Sequence, residues 1–257
     1  METEVTVSVN RQCFSAGDRI MSCDPMVWML ERSAYKTHCA YCLQTSPGLR
    51  TCSGCQLHRY CNSACQVADW KVEHKLECAL LKEIGRQDPI DVAELMRGLP
   101  GCPTSARFSV PADTLYVVFD LIPKVANKIE KNATMDVPGM GRKSVRDLLL
   151  SMPSNPVQPD IELLIQRELA AGATEVPPMD FITYCGILSH NSVKIHDSLN
   201  PSAPIGRALY PQAPRGRMTP VCWDANVALN CRGRRLVIHA MEDIPRFTGL
   251  QDFKLSY

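Results

Sequence analysis

An α+β fold is predicted by three features of this 257-residue sequence. Val5, Val7 and Val9 alternate with polar residues, which is the period-two pattern of a strand, and alternation returns near the other end of the chain. Seven cysteines and His74 lie at paired spacings between Cys39 and Cys78, which indicates a compact metal-binding module. Between the cysteine-rich segment and the C-terminal strands, apolar residues recur every three or four positions, as they do on amphipathic helices.

Composition narrows the classes of function. The net charge is +1 and no apolar run is long enough to span a membrane, so nothing in the charge or hydropathy predicts a nucleic-acid or membrane partner. The first residues, M-E-T-E-V, carry neither the basic nor the apolar segment of a secretory signal. We therefore expect a protein of the nucleus and cytoplasm, where thirteen cysteines favour metal binding over disulfides.

The spacing of the cysteine-rich segment is that of paired metal ligands. It reads C-x2-C, C-x2-C, C-x3-C and H-x3-C, and its eight soft donors suffice for two tetrahedral zinc ions. A C-x2-C pair fits a tight turn, whereas residues four apart share one face of a helix. The alternative is that these cysteines form disulfides or are simply buried in the core. The candidate zinc ligands are Cys39, Cys42, Cys52, Cys55, Cys61, Cys65, His74 and Cys78.

This spacing, together with Trp70 and Lys75, resembles the MYND zinc finger. In that family the two ions are cross-braced. The resemblance therefore implies one zinc ion on the first and third pairs and one on the second and fourth. Eight residues separate Cys65 from His74, one more than the resemblance leads us to expect, and a short helix could absorb the extra residue.

The segment before the finger, S-A-G-D-R-I-M-S-C-D-P-M-V-W, resembles the start of the SET domain in SET-and-MYND methyltransferases. The resemblance implies a β-rich SET-like domain split by an inserted two-zinc MYND finger and a helical insertion. We predict SET-like strands over 1–38, the finger over 39–78, the helical insertion over 79–177 and the C-terminal SET-like core over 178–257, with no post-SET region.

Local patterns predict the remaining elements. Helices are expected over 66–84, 90–97, 113–131, 144–152, 159–171 and 178–189, with Gly85 ending the first. Strands are expected over 192–196, 227–229, 235–240 and 253–257. Glycine and proline in 132–143 and 199–220 predict loops there.

An intact SET domain transfers a methyl group from S-adenosylmethionine to a lysine amine. The phrase S-H-N-S-V-K-I resembles a SET segment whose asparagine contacts that cofactor, which implies a cofactor role for Asn191, although an asparagine here could equally cap a helix. The phrase A-L-Y-P resembles the family's G-L-Y-P, which implies a cofactor-binding role for Tyr210. The end of the chain resembles the segment that carries the catalytic tyrosine, which would be Tyr257.

Other positions depart from the SET pattern. Thr219 and Pro220 stand where the family has an Asn-His pair, and proline offers neither an N–H nor a polar side chain. Residues 1–12 contain no glycine for the cofactor loop, and Cys222 lacks the downstream cysteines with which it would hold a further zinc ion. We therefore favour a zinc-binding interaction module whose methyltransferase site is degraded and whose binding of S-adenosylmethionine is in doubt. The alternative is an active lysine methyltransferase acting on a histone or another protein.

The resemblance implies protein partners for the finger, including proline-containing peptides, because an extended proline-rich segment docks on aromatic grooves at little entropic cost. Trp70 and Tyr60 are the candidate groove residues, and support of the module's core is the alternative role, favoured for Tyr60. Asp69, Glu73 and Glu77 interleave with the basic residues of the finger, which argues against nucleic acid.

Overall fold

A computed structural model describes residues 6–7, 13–86, 121–137, 141–154, 156–157, 178–197, 200–213, 226–244 and 255–256. It confirms a mixed fold of helices and small sheets. The chain forms two compact units. The first comprises 1–28, 128–152 and 192–257, and the second comprises 29–127 and 153–191.

The strands of the described residues are short. They are β1 (Thr6–Val7), β2 (Arg19–Cys23), β3 (Val27–Leu30), β4 (Arg50–Thr51), β5 (Arg59–Tyr60), β6 (Thr134–Val137), β7 (Gly141–Ser144), β8 (Val193–Asp197), β9 (Asn200–Leu209), β10 (Val227–Arg232), β11 (Arg235–Ala240) and β12 (Leu255–Ser256).

The helices of the described part of the chain include one π-helical turn. They are a 3₁₀ turn (Arg32–Ala34), α1 (Ser63–Asp69), a π-helical turn (Trp70–His74), α2 (Lys75–Arg86), α3 (Ile122–Glu130), α4 (Val145–Leu150) and α5 (Pro178–Asn191). None of the described helices is long and apolar enough to cross a membrane.

The main sheet of the first unit has the order β1-β2-β11-β10-β12. Its centre is a hairpin of the two strands predicted over 227–229 and 235–240, in which β10 pairs antiparallel with β11 and Gly233 takes the positive φ of +60° that the turn requires. Strand β11 also pairs with β2, which places Ile238 opposite Met21, and both side chains are fully buried. The strand predictions for 227–229 and 235–240 are thus confirmed.

A second sheet has the order β3-β9-β8, and its middle strand corrects the loop predicted over 199–220. Strand β9 covers Asn200–Leu209 despite Pro201 and Pro204. The register of β8 against β9 shifts on both sides of His196, which pairs with Pro204. A bulge accommodates a proline that cannot donate to the ladder, so the proline count misled the prediction.

The hairpin β6–β7 corrects the loop predicted over 132–143. Met135 and Val137 are buried while Thr134 and Asp136 are exposed, so a period-two pattern was present beside the glycine and proline. The hairpin leads into α4, whose first turn is capped by the Ser144 side chain accepting from the Asp147 N–H.

The second unit contains the finger and the described helices α2 and α5. Helix α5 confirms the helix predicted over 178–189 and buries Tyr184, Cys185, Ile187 and Leu188. The helix predicted over 66–84 is confirmed with wider bounds, and Gly85 lies inside it rather than ending it. The helices predicted over 90–97 and 159–171 lie outside the described residues.

Ile238→Ala tests the centre of the main sheet. Removing a fully buried branched side chain should lower the free energy of unfolding by about 2–5 kcal/mol, through lost burial and the cavity left behind. Chemical denaturation followed by circular dichroism measures the change. Met241→Ala is the control, because 51% of that residue is exposed, and an equal loss in both variants would contradict this packing.

Candidate metal centre

The two C-x2-C pairs form turns of the same design. The residue after each second cysteine, Leu43 or Gln56, adopts a positive φ of 57° or 61°. The N–H of Leu43 donates to the Cys39 carbonyl at 2.9 Å, and the N–H of Gln56 donates to the Cys52 carbonyl at 3.0 Å. Each turn thereby closes on itself and directs two sulfur atoms to one side, as the spacing predicted.

The other two pairs lie on the helical part of the finger. Asn62 caps α1, its side chain accepting from the Cys65 N–H at 3.0 Å, so Cys61 directly precedes the cap and Cys65 lies in the first turn of the helix. His74 and Cys78 lie one turn apart where the π-helical turn passes into α2. A π-turn takes up one more residue per turn than an α-helix. It therefore accommodates the longer gap after Cys65 while α1 and α2 stay continuous.

These pairs come together in two clusters, in each of which the four donor atoms lie within 4.8 Å of one another. One cluster contains Cys39, Cys42, Cys61 and Cys65; the other contains Cys52, Cys55, His74 and Cys78. The first and third pairs thus share a site, as do the second and fourth. This is the cross-braced arrangement that the resemblance implied.

The donor geometry fits zinc. The Sγ atoms of Cys42 and Cys61 are 3.6 Å apart, and those of Cys52 and Cys78 are 3.9 Å apart. Four thiolates around zinc, each at about 2.3 Å, would be separated by about 3.8 Å. His74 directs Nε2 to Cys55 Sγ at 3.7 Å and to Cys52 Sγ at 3.3 Å, so Nε2 is the nitrogen that faces the metal position.

Hydrogen bonds prepare two of the sulfur atoms to hold a cation. A hydrogen bond from the Cys42 thiol lowers the pKa of Cys39 to about 5, and backbone N–H groups, including that of Cys61, act in the same direction against burial. Burial raises the pKa of Cys52, but N–H groups of its own turn and the His74 ring lower it to about 7. The thiolate is the form that binds metal, so both shifts favour ligation near neutral pH.

Gly54 lies inside the second C-x2-C turn because a side chain would not fit there. A Cβ atom at this position would lie 2.8 Å from Cys78 Sγ and 3.7 Å from Cys52 Sγ. The second and fourth ligand pairs therefore meet across a glycine, a constraint that the spacing of the cysteines did not reveal.

Buried polar residues surround the second cluster. The Tyr60 hydroxyl donates to Asp69 Oδ2 at 2.8 Å, and burial raises the pKa of Asp69 to about 6. The His58 ring stacks on the ring of His74 with centroids 4.9 Å apart, and burial lowers the pKa of His58 to about 4, which keeps it neutral. Tyr60 thus supports the core of the finger, the alternative that the sequence favoured for it.

Two further residues complete this shell. His74 Nδ1 lies 3.3 Å from Glu77 Oε1, and Lys124 Nζ lies 3.2 Å from Glu77 Oε2. Glu77 could have been suspected from its place one turn after His74. Lys124 could not, because it lies on α3, well beyond the cysteine-rich segment, and no local spacing connects it to the ligands.

The predicted cofactor residues have protein partners in the structure. The Asn191 side-chain amide ends α5 and donates to the carbonyls of Ile187 at 2.7 Å and Pro153 at 2.8 Å, in the manner of a capping residue. The buried Tyr210 hydroxyl donates to the Arg234 carbonyl at 2.6 Å. Tyr257 lies outside the described residues, as do Thr219 and Pro220.

Two cross-braced clusters on two tight turns and one continuous helical segment define a zinc finger with two metal sites. Residues 39–78 match the family model described as the MYND finger, so the chain contains a MYND finger and that resemblance is confirmed. The chain is also homologous to SET-and-MYND lysine methyltransferases.

Three relatives show the extent of the similarity. The human N-lysine methyltransferase SMYD2 is 38% identical over 74 residues, which are 29% of this chain and 17% of that protein. SMYD2-A of Xenopus laevis is 33% identical over 133 residues, or 50% of this chain and 31% of the relative. The human Histone-lysine N-methyltransferase SMYD3 is 24% identical over 234 residues, or 89% and 47%. The matched parts span less than half the length of each relative.

Gly54→Ala tests the close approach inside the second cluster. The added methyl group should displace the sulfur of Cys78, so one of the two zinc ions should be held about tenfold more weakly. Transfer of zinc to a colorimetric chelator measures the loss. Gly48→Ala is the matched control, because a Cβ atom there meets no atom within 4 Å, and equal zinc retention in both variants would contradict the proposed geometry.

Proposed function

We propose that this chain acts mainly as a protein-interaction module through its MYND finger and that its SET-like site is degraded. The observation that carries the proposal is an exposed apolar patch on the helical face of the finger. Trp70 is 43% exposed and Val67, one turn earlier, is 51% exposed. Large apolar side chains are seldom left together in water on so small a module without a partner.

The patch contacts the second metal cluster through Trp70. The Trp70 ring lies edge-on to the His74 ring with centroids 5.9 Å apart, so the indole is anchored to a zinc ligand while part of its surface faces solvent. An exposed aromatic ring on a stiff support suits an extended proline-containing segment, which loses little entropy on binding. Tyr60 is fully buried and takes no part in this surface.

Two placements support the proposal of a degraded methyltransferase site. The Asn191 amide N–H groups and the Tyr210 hydroxyl donate to carbonyls of the protein, so the groups that the resemblance assigns to S-adenosylmethionine already have partners. Thr219 and Pro220 also replace the Asn-His pair. A site that positions both a sulfonium and a lysine amine depends on such polar groups.

The alternative is an active S-adenosylmethionine-dependent lysine methyltransferase acting on a histone or another protein. The methyltransferase activities for which SMYD2 and SMYD3 are named favour it, and the similarity to SMYD3 extends over most of this chain. Both proposals include a SET-like fold for the regions 1–38 and 178–257 and a helical insertion over 79–177. Both also include localisation in nucleus and cytoplasm.

Titration of the zinc-loaded protein with S-adenosylmethionine by calorimetry separates the two. We expect no binding tighter than about 100 µM, because the predicted contacts are either occupied or replaced. Tighter binding, worth more than about 5–6 kcal/mol, would overturn the degraded site in favour of the enzyme. Two zinc ions per chain by metal analysis would establish that the titrated protein is folded at the finger.

Trp70→Ala tests the interaction surface. The probe is a fluorescein-labelled peptide of ten prolines, and its binding is followed by anisotropy. Loss of a central aromatic anchor should weaken binding about tenfold or more. Leu150→Ala removes an apolar side chain of similar exposure, 52%, and should leave binding unchanged. Undiminished binding by a Trp70→Ala protein that retains two zinc ions would contradict the proposed surface.

A further inference from the structure

The second zinc cluster is connected to a helix beyond the finger by one buried lysine. Lys124 lies on α3 and only 6% of it is exposed. Its Nζ atom lies 3.2 Å from Glu77 Oε2 and 3.4 Å from Glu73 Oε2. Both carboxylates belong to the helical part of the finger, so one ammonium group from outside residues 39–78 bridges two acidic side chains within them.

Glu77 is the residue through which this contact reaches the metal site. Its two oxygens have different partners, since Oε1 faces His74 Nδ1 at 3.3 Å and Oε2 faces Lys124. His74 directs Nε2 toward the cysteine sulfurs, so a metal ion bound there would leave the ring proton on Nδ1, which would donate to Glu77. A carboxylate in this position fixes the tautomer and the ring orientation of a ligating histidine.

Carboxylates this close to the finger's core need a compensating charge. The side chain of Glu77 is 14% exposed and that of Glu73 only 2%, so water reaches neither group freely. A buried carboxylate without a cation is strongly destabilised, and the side chain or its helix would shift to recover solvent. The Lys124 ammonium supplies the cation and therefore keeps Glu77 in the place from which it accepts the His74 N–H.

The fold fixes the position of Lys124 itself. Leu121, Ile122 and Val125 are buried on either side of it along the chain, so α3 cannot readily turn the lysine toward water. We propose that Lys124 is a positioning residue of the second zinc site. Through Glu77 it holds His74 in its ligating orientation, and it makes zinc retention at that site depend on a helix outside the MYND finger.

The neighbouring groups admit a different interpretation. One donor atom from each of four residues lies within 4.8 Å of the others, a set that could hold a metal ion of its own: His58, Asp69, His74 and Glu77. Asp69 accepts the Tyr60 hydroxyl, however, and the Lys124 ammonium already supplies the positive charge beside Glu77. The geometry thus favours lysine as the cation of this set. The role of Lys124 is the same whether the finger binds peptides or the chain methylates lysine.

Lys124→Met in the full chain tests the proposal, with cobalt and zinc as probes. The four-thiolate site and the site of three thiolates and one imidazole give cobalt different absorption bands, so the two sites can be followed separately. We expect the bands of the imidazole-containing site to shift and one of two zinc ions to transfer to a chelator about tenfold faster, while the four-thiolate site is unchanged. Lys82→Met, which removes an exposed lysine from α2, should alter neither site.

Two further variants keep the test decisive if Lys124→Met folds poorly. Lys124→Arg keeps the positive charge and should restore most of the zinc retention. Glu77→Gln keeps an oxygen for His74 but removes the charge through which Lys124 acts on it, so adding Lys124→Met should speed zinc release from this site little further. The double variant should still lose stability, because Glu73 then lacks its cation. Equal loss of metal from both sites, full additivity of the two substitutions in zinc release, or three metal ions per wild-type chain would each overturn the proposal.

Discussion

The structure depends on two sets of four donor atoms that must meet although their residues alternate along the chain. Cys39 and Cys42 share a cluster with Cys61 and Cys65, so the segment that carries Cys52 must cross between them. A segment of this length can bury little apolar surface, and metal ligation is the usual substitute for a larger core. The cross-brace therefore fixes the chain path of the finger more firmly than its hydrophobic contacts do.

Around the second cluster the structure forms successive layers, each of which constrains the one inside it. The sulfurs and His74 face the metal position, and Glu77, His58 and Asp69 surround them with hydrogen bonds and ring contacts. Trp70 lies outermost and still contacts the His74 ring. A single ring contact thus connects the exposed Trp70 indole to the buried His74 imidazole. The orientation of the His74 ring therefore helps to position the exposed indole.

The sequence predicted most reliably what depends on local spacing. The cysteine and histidine pairs predicted two clusters on turns and helices, because bond geometry allows few arrangements of donors at those separations. The strands over 227–229 and 235–240 were likewise predicted from local patterns. Strand β9 was missed because the bulge that admits Pro204 is formed with β8, a partner that no local pattern names. Lys124 was missed for the same reason, since its role exists only once α3 packs near the finger.

The predicted cofactor residues show where a motif ceases to be informative. Asn191 and Tyr210 were found by resemblance alone, and in the structure each donates to a backbone carbonyl. These acceptors include carbonyls of residues far along the chain, Pro153 and Arg234, so the motif alone did not predict the hydrogen bonds. The motif of the zinc ligands is more informative than that of the cofactor residues, because four convergent cysteine or histidine donors have few roles other than binding a metal ion.

The π-turn at Trp70–His74 separates two properties that an ordinary helix couples, its length and its direction. Each residue added to an α-helix rotates everything beyond it by about 100°, which would swing His74 and Cys78 away from Cys52. The π-turn accommodates the added residue as a local bulge instead. The helical segment is therefore longer, while His74 and Cys78 still face the metal position. A ligand-bearing helix built in this way can change length in evolution one residue at a time without passing through a form that has lost its zinc.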